Sequence, residues 1–308
     1  MSTRNSARAS FRFGLLAACI GLTGSAYAAS TTGAGDQNGG VTMSAAGIPQ
    51  RVAFGRQVSL SGSVNSGAGR SVRLEHAPGR QGWRPVAETT SAGDGTFRFA
   101  VAATHSGPYR AVSDGGTSAE RNVTVVARLA GRATKHVRRG ASVHVRGAVS
   151  PARPGRRVRL QVRLGGRWKT VDRARTGPHG RFRAVWKPAR HGSFRLRVRF
   201  AGDVLNGAAS RRLRGRVHVY RPALASWYGP GFYGRRTACG GTMSATRLGV
   251  ANKWLPCGTR VTLRHRGRSV TVPVIDRGPF VGAREFDLTA ATKRKLGFGS
   301  TGRVWTTR

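Results

Sequence analysis

The segment VTVPVIDRGPFVGAREFDLTAATKRKLGF, residues 270–298, decides the fold of the C-terminal part of this chain. It begins as an alternating apolar strand, passes through a turn rich in Gly and Pro, and ends in a polar and apolar run from Thr289 to Gly297. Thr is a good N-cap and Gly a common helix stop, so this run predicts one short helix that ends near Leu296. With strand-like runs before it, such as RVTLRH at 260–265, the region favours an all-β barrel with a single helix.

The last hundred residues hold three carboxylates, Asp276, Glu285 and Asp287, and all three lie within this segment. Acids are scarce in the whole chain, which has 54 Lys and Arg against 11 Asp and Glu. A carboxylate is tuned downward in pKa by a neighbouring arginine and upward by burial, so a clustered acid can become a general acid or base. The alternative is that these acids simply form ion pairs with neighbouring arginines.

The first 28 residues are predicted to be a signal peptide that is cleaved after Ala28. They combine a basic start, a short apolar run and the cleavage signal Ala26-Tyr27-Ala28. The lipobox-like sequence Leu16-Ala17-Ala18-Cys19 leaves lipidation of Cys19 as an alternative. We expect the mature protein to be exported to the cell envelope or beyond it, with no membrane span, and residues 29–42 to be a polar linker.

Two segments, 43–126 and 127–221, repeat each other. GRQVSLSGSV at 55–64 matches GASVHVRGAV at 140–149, and three aromatic pairs keep a separation of 85 positions: Trp83 and Trp168, Phe97 and Phe182, Tyr109 and Phe194. Apolar alternation broken by turn signals predicts about seven short strands in each copy, which is typical of an immunoglobulin-like β-sandwich. We expect these two tandem sandwiches to act as spacers or wall-binding modules.

Cleavage of the signal peptide would leave two cysteines, Cys239 and Cys257. An even pair in an exported protein is most simply a disulfide. We expect no metal and no other cofactor, because the sequence has no CxxC motif and no Cys/His cluster. We also expect a monomer.

The net charge of +43 predicts a polyanionic partner. Nucleic acid would fit this charge, but the export signal separates the chain from it, so no nucleic-acid partner is expected. An anionic cell envelope, whose wall carboxylates and phosphates attract basic side chains, is the favoured partner.

Three stretches, taken in order, resemble the rare lipoprotein A (RlpA) family: ASWYGPGFYGRRTACG at 225–240, VANKWLPCGTRVTL at 250–263, and the segment at 270–298. The resemblance covers the predicted C-terminal domain, residues 222–308. It implies a six-stranded double-psi β-barrel with a short helix. Members of the family are lytic transglycosylases that act on peptidoglycan, and expansins, which loosen walls without hydrolysis, share the fold.

The resemblance also implies roles for individual residues. Asp287 matches the Asp that acts first as general acid and then as base, and Asp276 matches the Asp of the DRGP motif that would support it. Thr237 and Tyr228 match family positions and are expected to bind the substrate. Tyr233 is expected to bind it because it belongs to an aromatic-rich stretch that could stack on sugars, and Arg277 is a further candidate for substrate binding. A hydrolase of such glycans normally needs two carboxylates, whereas a lytic transglycosylase can use one, because the sugar's own 6-hydroxyl attacks and leaves a 1,6-anhydro product.

Two features keep other interpretations open. Asp287 directly precedes the predicted helix, whose dipole would favour the charged carboxylate, so Asp276 could instead be the acid. Gly241 and Ser244 stand where family members carry acidic residues. A non-catalytic, expansin-like glycan-binding protein is therefore the alternative to a peptidoglycan lytic transglycosylase, and a spacer or adhesin held to the wall by charge is a third possibility.

Overall fold

The computed structural model describes residues 40–65 and 67–308, and strands dominate it, so the predicted all-β class is confirmed. The predicted signal peptide and most of the predicted linker lie outside the described residues. The linker's last positions, Val41 and Thr42, belong to the first strand, whose Val41 side chain is buried. Within the described part of the chain, no helix is both long enough and apolar enough to span a bilayer.

The first repeat is built from short strands and a single-turn 3-10 helix at Pro78–Arg80. Its strands are β1 (Val41–Met43), β2 (Arg51–Ala53), β3 (Gln57–Val64), β4 (Ser71–His76), β5 (Arg84–Thr90), β6 (Thr96–Ala102), β7 (Gly107–Ser113), β8 (Gly116–Thr117) and β9 (Arg121–Val126). One sheet has the order β1-β3-β6, and the other has the order β2-β9-β7-β4-β5 with β8 beside β7. Both sheets contribute to one apolar core, for example through Leu60 and Leu74.

The second repeat has the same arrangement. Its strands are β10 (Arg128–Ala133), β11 (His136–Arg138), β12 (Val143–Ser150), β13 (Arg157–Leu164), β14 (Arg167–Arg175), β15 (Arg181–Trp186), β16 (Gly192–Phe194), β17 (Leu196–Phe200) and β18 (Ala209–Arg212). The sheet β10-β12-β15 corresponds to β1-β3-β6, and β14-β13-β17 corresponds to β5-β4-β7. Each copy is thus two sheets around one core, while the kinship with immunoglobulin domains stays a prediction.

A pair of glycines explains why the two copies share a local sequence pattern. Gly62 of β3 and Gly147 of β12 each lie under an aromatic ring, that of Phe97 and that of Phe182 respectively. A Cβ at either glycine would collide with this ring and with a carbonyl oxygen of the neighbouring strand. The equivalent pairs therefore fix how the edge strand and the aromatic residue pack in each copy.

The C-terminal region forms a closed barrel. Its elements are β19 (Val217–Tyr228), β20 (Val250–Ala251), β21 (Arg260–His265), β22 (Arg268–Asp276), β23 (Phe286–Thr289), α1 (Ala290–Leu296) and β24 (Gly302–Thr306). The strand order is β19-β23-β20-β22-β21-β24, and β24 pairs again with β19. The predicted six-stranded barrel is confirmed.

The helix begins and ends where its sequence signals predicted. The Thr289 hydroxyl accepts a hydrogen bond from the Thr292 amide at 3.2 Å, and Gly297 adopts the left-handed conformation at the C-cap with φ of 63°. Leu296 is fully buried in the barrel core. The helix therefore closes one end of the barrel directly after β23.

Strand β19 continues without a break from the second repeat into the barrel. Its first residues, 217–220, pair with β11 and β16, and residues 221–228 pair with β24 and β23. The predicted boundary between residues 221 and 222 falls inside this strand, and the domain boundaries remain predictions.

Candidate functional site

A row of residues crosses the barrel sheet and contains two of the three predicted carboxylates. Ser226 of β19 pairs with Asp287 of β23, Asp287 pairs with Ala251 of β20, and Ala251 pairs with Asp276 of β22. Residues that pair across neighbouring strands project to the same face of a sheet. The two carboxylates therefore lie on one face, on either side of the small Ala251 side chain, with their Cα atoms about 10 Å apart at the usual strand spacing.

Asp287 is held by a short polar chain. The Ser226 hydroxyl donates a hydrogen bond to Asp287 Oδ1, and Arg284 Nη1 donates to the Ser226 oxygen at 3.0 Å. Arg284 Nε in turn donates to the Val281 carbonyl at 3.2 Å. Arg284 thus acts on Asp287 through Ser226, and Asp287 Oδ2 forms no hydrogen bond within the described residues.

Asp276 is held by the backbone. Its Oδ1 accepts hydrogen bonds from the amides of Ala238 and Arg277, both at 2.9 Å. The Asp276 carbonyl accepts from the Asn252 amide at 3.1 Å. The carboxylate therefore links the end of β22 to the loop before Cys239 and is fixed in position.

Tyr228, which follows Ser226 by two residues on β19, faces both carboxylates. Burial raises the pKa of Tyr228 above its usual value. The charge of Asp276 and the approach of the Tyr228 hydroxyl to that carboxylate add to this pKa shift, and the charge of Asp287 adds less. The buried Tyr228 hydroxyl has no hydrogen-bond partner among the described residues. A neutral phenol beside two carboxylates can donate a hydrogen bond to a ligand, and its ring is fixed by an edge-on contact with Phe232 at 5.6 Å.

The ion-pair alternative holds for one acid of the three. Glu285 forms a bidentate ion pair with Arg221, in which Nη1 donates to Oε1 at 2.9 Å and Nη2 donates to Oε2 at 2.6 Å. Within the described residues, neither Asp276 nor Asp287 forms a salt bridge. In a chain with a net charge of +43, two such carboxylates on one face are the strongest sign of a chemical role.

Two of the predicted substrate-binding residues make contacts within the protein. The buried Thr237 hydroxyl donates to the Gly240 carbonyl at 2.8 Å and closes a turn. Arg277 Nη1 donates to the carbonyls of Asn252 and Leu255 at 3.1 and 3.0 Å, which holds the loop after β20. Their direct contact with a substrate remains a prediction, and so does that of Tyr233, which is 39% exposed.

The predicted disulfide between Cys239 and Cys257 is present. It joins the loop that follows Thr237 to the loop that follows Ala251. The Cys239 amide also donates to the Ile275 carbonyl at 3.2 Å. Both loops that border Asp276 are therefore tied to the barrel.

The guanidinium group of Arg247 holds the loop that contains Gly241 and Ser244, the two positions where acids were expected from the family resemblance. Arg247 donates to the carbonyls of Thr242 and Gly240, both at 2.8 Å. A Cβ at Gly241 would lie about 3.0 Å from this guanidinium. The position that carries an acid in family members therefore lies against a positive charge here.

Exposed aromatic side chains lie on the loops that leave the site strands. Trp254 follows β20 and is 73% exposed, Phe280 follows β22 and is 77% exposed, and Phe232 and Tyr233 follow β19. The buried Asn252 shapes the first of these loops, because its Oδ1 accepts from the amides of residues 254 and 255 at 3.0 and 2.8 Å. Such aromatic faces can stack on the apolar faces of sugar rings.

Sequence reasoning did not single out Ser226, Asn252, Trp254 or Phe280. The alternation along β19 could have found Ser226, since it lies two residues before Tyr228 and shares its face. In the described part of the chain, no group of three or more His, Cys, Asp or Glu is placed to hold a metal ion.

Residues 222–305 match the protein-family model described as "Lytic transglycolase". The resemblance of the C-terminal region to the RlpA family is thereby confirmed for these residues.

Curated relatives match the same region. The chain is 49% identical over 81 residues to the probable endolytic peptidoglycan transglycosylase RlpA of Synechocystis sp., which covers 26% of this chain and 25% of that protein. It is 46% identical over 80 residues to the endolytic peptidoglycan transglycosylase RlpA of Pseudomonas aeruginosa strain UCBPP-PA14, covering 25% and 24% of the two chains. It is 42% identical over 80 residues to the probable endolytic peptidoglycan transglycosylase RlpA of Aquifex aeolicus, and this match covers 25% of this chain and 35% of that protein. The chain thus spans between a quarter and about a third of the length of these relatives.

Proposed function

We propose that the C-terminal barrel cleaves the glycan strands of peptidoglycan as a lytic transglycosylase. The observation that carries this proposal is the pair Asp276 and Asp287, which share one face of the barrel across Ala251 and form no salt bridge within the described residues. The relatives named as peptidoglycan transglycosylases match this same region.

Asp287 is proposed as the acid and base of the reaction. The proton of its carboxyl group moves to the glycosidic oxygen while the bond between C1 and that oxygen breaks. The sugar's 6-hydroxyl oxygen forms the new bond to C1, and its proton passes to the Asp287 carboxylate. The products are a 1,6-anhydro end and a free 4-hydroxyl, and the carboxyl group is restored.

The surrounding residues fit supporting roles in this reaction. Ser226 holds Asp287 Oδ1 and leaves Oδ2 to carry the proton. Asp276, fixed by two amides, offers a negative charge to the positive charge that develops at C1. The phenol of Tyr228 supplies a neutral hydrogen-bond donor near both carboxylates.

The Asp287 carboxylate takes no part in the cap of the helix. The first turn of the seven-residue helix is capped by Thr289, whose hydroxyl accepts a hydrogen bond from the Thr292 amide. The hydrogen bond to the Asp287 side chain comes from Ser226 and not from a helix amide. The direct partner of the carboxylate is therefore a hydroxyl group.

A non-catalytic, expansin-like role is the second candidate, and Arg247 favours it. Its guanidinium occupies the surroundings of Gly241, where family members have an acid. The exposed aromatic residues would then hold a glycan strand without cleaving it.

The wider setting follows from the same proposal. The protein would be exported through the predicted signal peptide, act as a monomer, and meet peptidoglycan or another anionic wall polysaccharide. No cofactor is needed, since a single carboxylate can transfer the proton in both steps.

Product analysis tests this function. The purified chain is incubated with glycan strands, and the products are examined by mass spectrometry for 1,6-anhydro ends, with the Asp276→Asn/Asp287→Asn double variant as the control. Anhydro ends formed by the wild type alone support the transglycosylase. If both proteins bind the glycan strands without cleaving them, the transglycosylase proposal is contradicted and the expansin-like role is favoured. If neither protein binds or cleaves them, the spacer role is favoured.

A further inference from the structure

Positive charge is concentrated in the second repeat. Residues 127–221 contain 27 Lys and Arg against two Asp and no Glu. Residues 43–126 contain nine Arg, no Lys and five Asp and Glu. A compositional bias that acts on the whole chain would not separate two copies of one unit in this way. The difference therefore indicates a role that belongs to the second copy.

Eight of these basic side chains lie on one surface, the outer face of the sheet β14-β13-β17-β18. We call it the arginine face, and its members are Arg157, Arg159, Arg163, Arg173, Arg175, Arg197, Arg199 and Arg212. The alternate residues of β13, such as Val158 and Leu160, are buried in the core. The arginines at the positions between them must therefore project away from the core.

These arginines face one another directly. Arg159 pairs with Arg173 on one side and with Arg199 on the other, and Arg197 pairs with Arg212. Like charges directly opposite one another destabilise a sheet. Burial, and next the charges of Arg199 and Arg212, lower the pKa of the Arg197 guanidinium. Placing these arginines opposite one another lowers the stability of the sheet. The needs of folding therefore do not explain why they are there.

The first repeat shows that the same sheet does not require this charge. At the equivalent place, Arg73 pairs with Glu88 on one side and Val112 on the other. Glu75 forms ion pairs with Arg73 at 3.2 Å and with Arg110 at 2.8 Å. The arginines of this face are thus balanced by acids of the same face.

One position shows the difference in charge between the two repeats directly. The strand sequence GRSVRLEH of the first repeat corresponds to GRRVRLQV of the second, so that Gln161 stands in place of Glu75. Arg197 Nε donates to Gln161 Oε1 at 2.8 Å, as Arg110 Nε donates to Glu75 Oε2 at 2.9 Å. The contact is kept in the second repeat, but its negative charge is absent.

We propose that the arginine face binds a linear polymer of the cell envelope whose charges are phosphodiester groups. The guanidinium fork matches phosphate oxygens, and a tetrahedral phosphate can accept hydrogen bonds from two neighbouring arginines at once. Arginines repeat about every 4.8 Å across strands and about every 6.7 Å along them. Part of the face continues into a cleft of about 790 Å³ that Arg157, Arg159, Arg173 and Arg175 help to line.

Nucleic acid fits this face less well, although its backbone carries the same groups. Surfaces that bind single strands usually offer aromatic rings on which bases stack. The aromatic residue of this face is Trp168, and the Arg197 guanidinium covers its ring at 4.4 Å. The face therefore presents charge without a free stacking platform.

The test measures binding of the full chain to synthetic poly(glycerol phosphate) at several salt concentrations. The variant Arg159→Gln/Arg173→Gln/Arg199→Gln removes three neighbouring arginines of the face. We expect binding near physiological salt to weaken at least about tenfold. The slope of log affinity against log salt should fall by about 2–3, since each of the three lost phosphate contacts removes about 0.7–0.9.

A matched control separates the face from net charge. Arg51, Arg56 and Arg98 are exposed arginines of the first repeat and lie outside the arginine face. Their triple change to Gln removes the same charge and should weaken binding no more than about threefold, because screening limits distant charges. Equal losses in the two triple variants would overturn the proposal.

A conservative single change keeps the test valid if a triple variant fails to fold. Gln161→Glu introduces the acid that the first repeat already carries at this place, and it should weaken polymer binding. Unchanged binding would overturn the proposal. Tighter binding of a single-stranded oligonucleotide with the same number of phosphates would also overturn it in favour of nucleic acid, and equal binding of polyglutamate would overturn the preference for phosphate.

Discussion

Asp276 and Asp287 pair with the same residue, Ala251, from opposite sides of the two-residue strand between them. The relationship joins the ends of two strands to a third strand, because β22 ends at Asp276 and β20 ends at Ala251, while Asp287 is the second residue of β23. The small side chain of Ala251, which is 3% exposed, separates the two carboxylates by about two strand spacings on one face. The first prediction concerns the separate roles of Asp287 and Asp276 in catalysis.

We predict that Asp287→Asn lowers strand cleavage by about a hundred- to ten-thousand-fold, the usual contribution of a general acid or base. Asn keeps the size of the side chain but cannot transfer a proton. Asp276→Asn should give a smaller loss, since Asp276 supports the reaction without carrying the proton. Initial rates of 1,6-anhydro product formation measure both effects. A larger loss for Asp276→Asn would exchange the two roles.

The second prediction concerns the exposed ring of Trp254. Because Trp254 is 73% exposed, Trp254→Ala should leave the melting temperature nearly unchanged. It should weaken glycan binding about tenfold, which corresponds to about 1.4 kcal/mol and to the loss of one stacked ring. Calorimetric titration with glycan strands measures the change in Kd.

Val204→Ala is the control for this prediction, because Val204 is a comparably exposed apolar residue of the second repeat, 69% exposed. It should not alter glycan binding. If Trp254→Ala binds glycan like the wild type, the loop after β20 takes no part in recognition.

Local sequence signals were sufficient for the elements that depend on neighbouring residues. Thr289 and Gly297 predicted both ends of the helix, since capping is decided within one turn. The duplication was visible because glycine and phenylalanine pairs, such as Gly62 with Phe97, pack in the same way in each copy. The disulfide followed from an even cysteine count in an exported chain.

The geometry of the candidate site could not be read from the sequence, because it depends on strand register between distant segments. Ser226 and Asp287 are 61 residues apart in sequence, and nothing local indicates that they pair. Arg277 was expected to contact a substrate, but its orientation toward the carbonyls of Asn252 and Leu255 depends on a loop in another part of the barrel. The arginine face likewise requires the register between strands.

The third prediction concerns the disulfide. It closes a loop with a sequence separation of 18 residues, and a closure of this length stabilises a fold by about 3 kcal/mol in the chain-entropy description. The variant Cys239→Ser/Cys257→Ser should lower the free energy of unfolding of the barrel by that amount. Urea unfolding monitored by hydrogen exchange in β22 measures the loss.

Reduction of the wild type should give the same loss, and reductant should not affect the double variant. A barrel equally stable with and without the disulfide would show that the surrounding loops are already held by contacts such as those of Arg277.

The fourth prediction concerns pH and the buried His76 of the first repeat. His76 is 4% exposed and stacks on Tyr109 with ring centroids 4.1 Å apart. Burial, and next the charge of His105, lower the pKa of His76 to about 4. An unfolded histidine has a pKa of about 6.5, so between these values the unfolded chain binds a proton that the folded chain does not. Stability is therefore complete above pH 6.5 and falls as the pH drops toward 4, by up to about 3 kcal/mol.

The variant His76→Val should abolish this part of the pH dependence. Valine is the residue that the second repeat carries at the equivalent place, Val162, so the substitution suits the sandwich core. Hydrogen exchange of the β4 amides at pH 7 and pH 4.5 reports the local stability, and its difference between the two pH values is the readout. His179→Asn, a change at an exposed turn, should keep the wild-type difference. A full pH dependence in His76→Val would show that another group, such as His105, takes up the proton on unfolding.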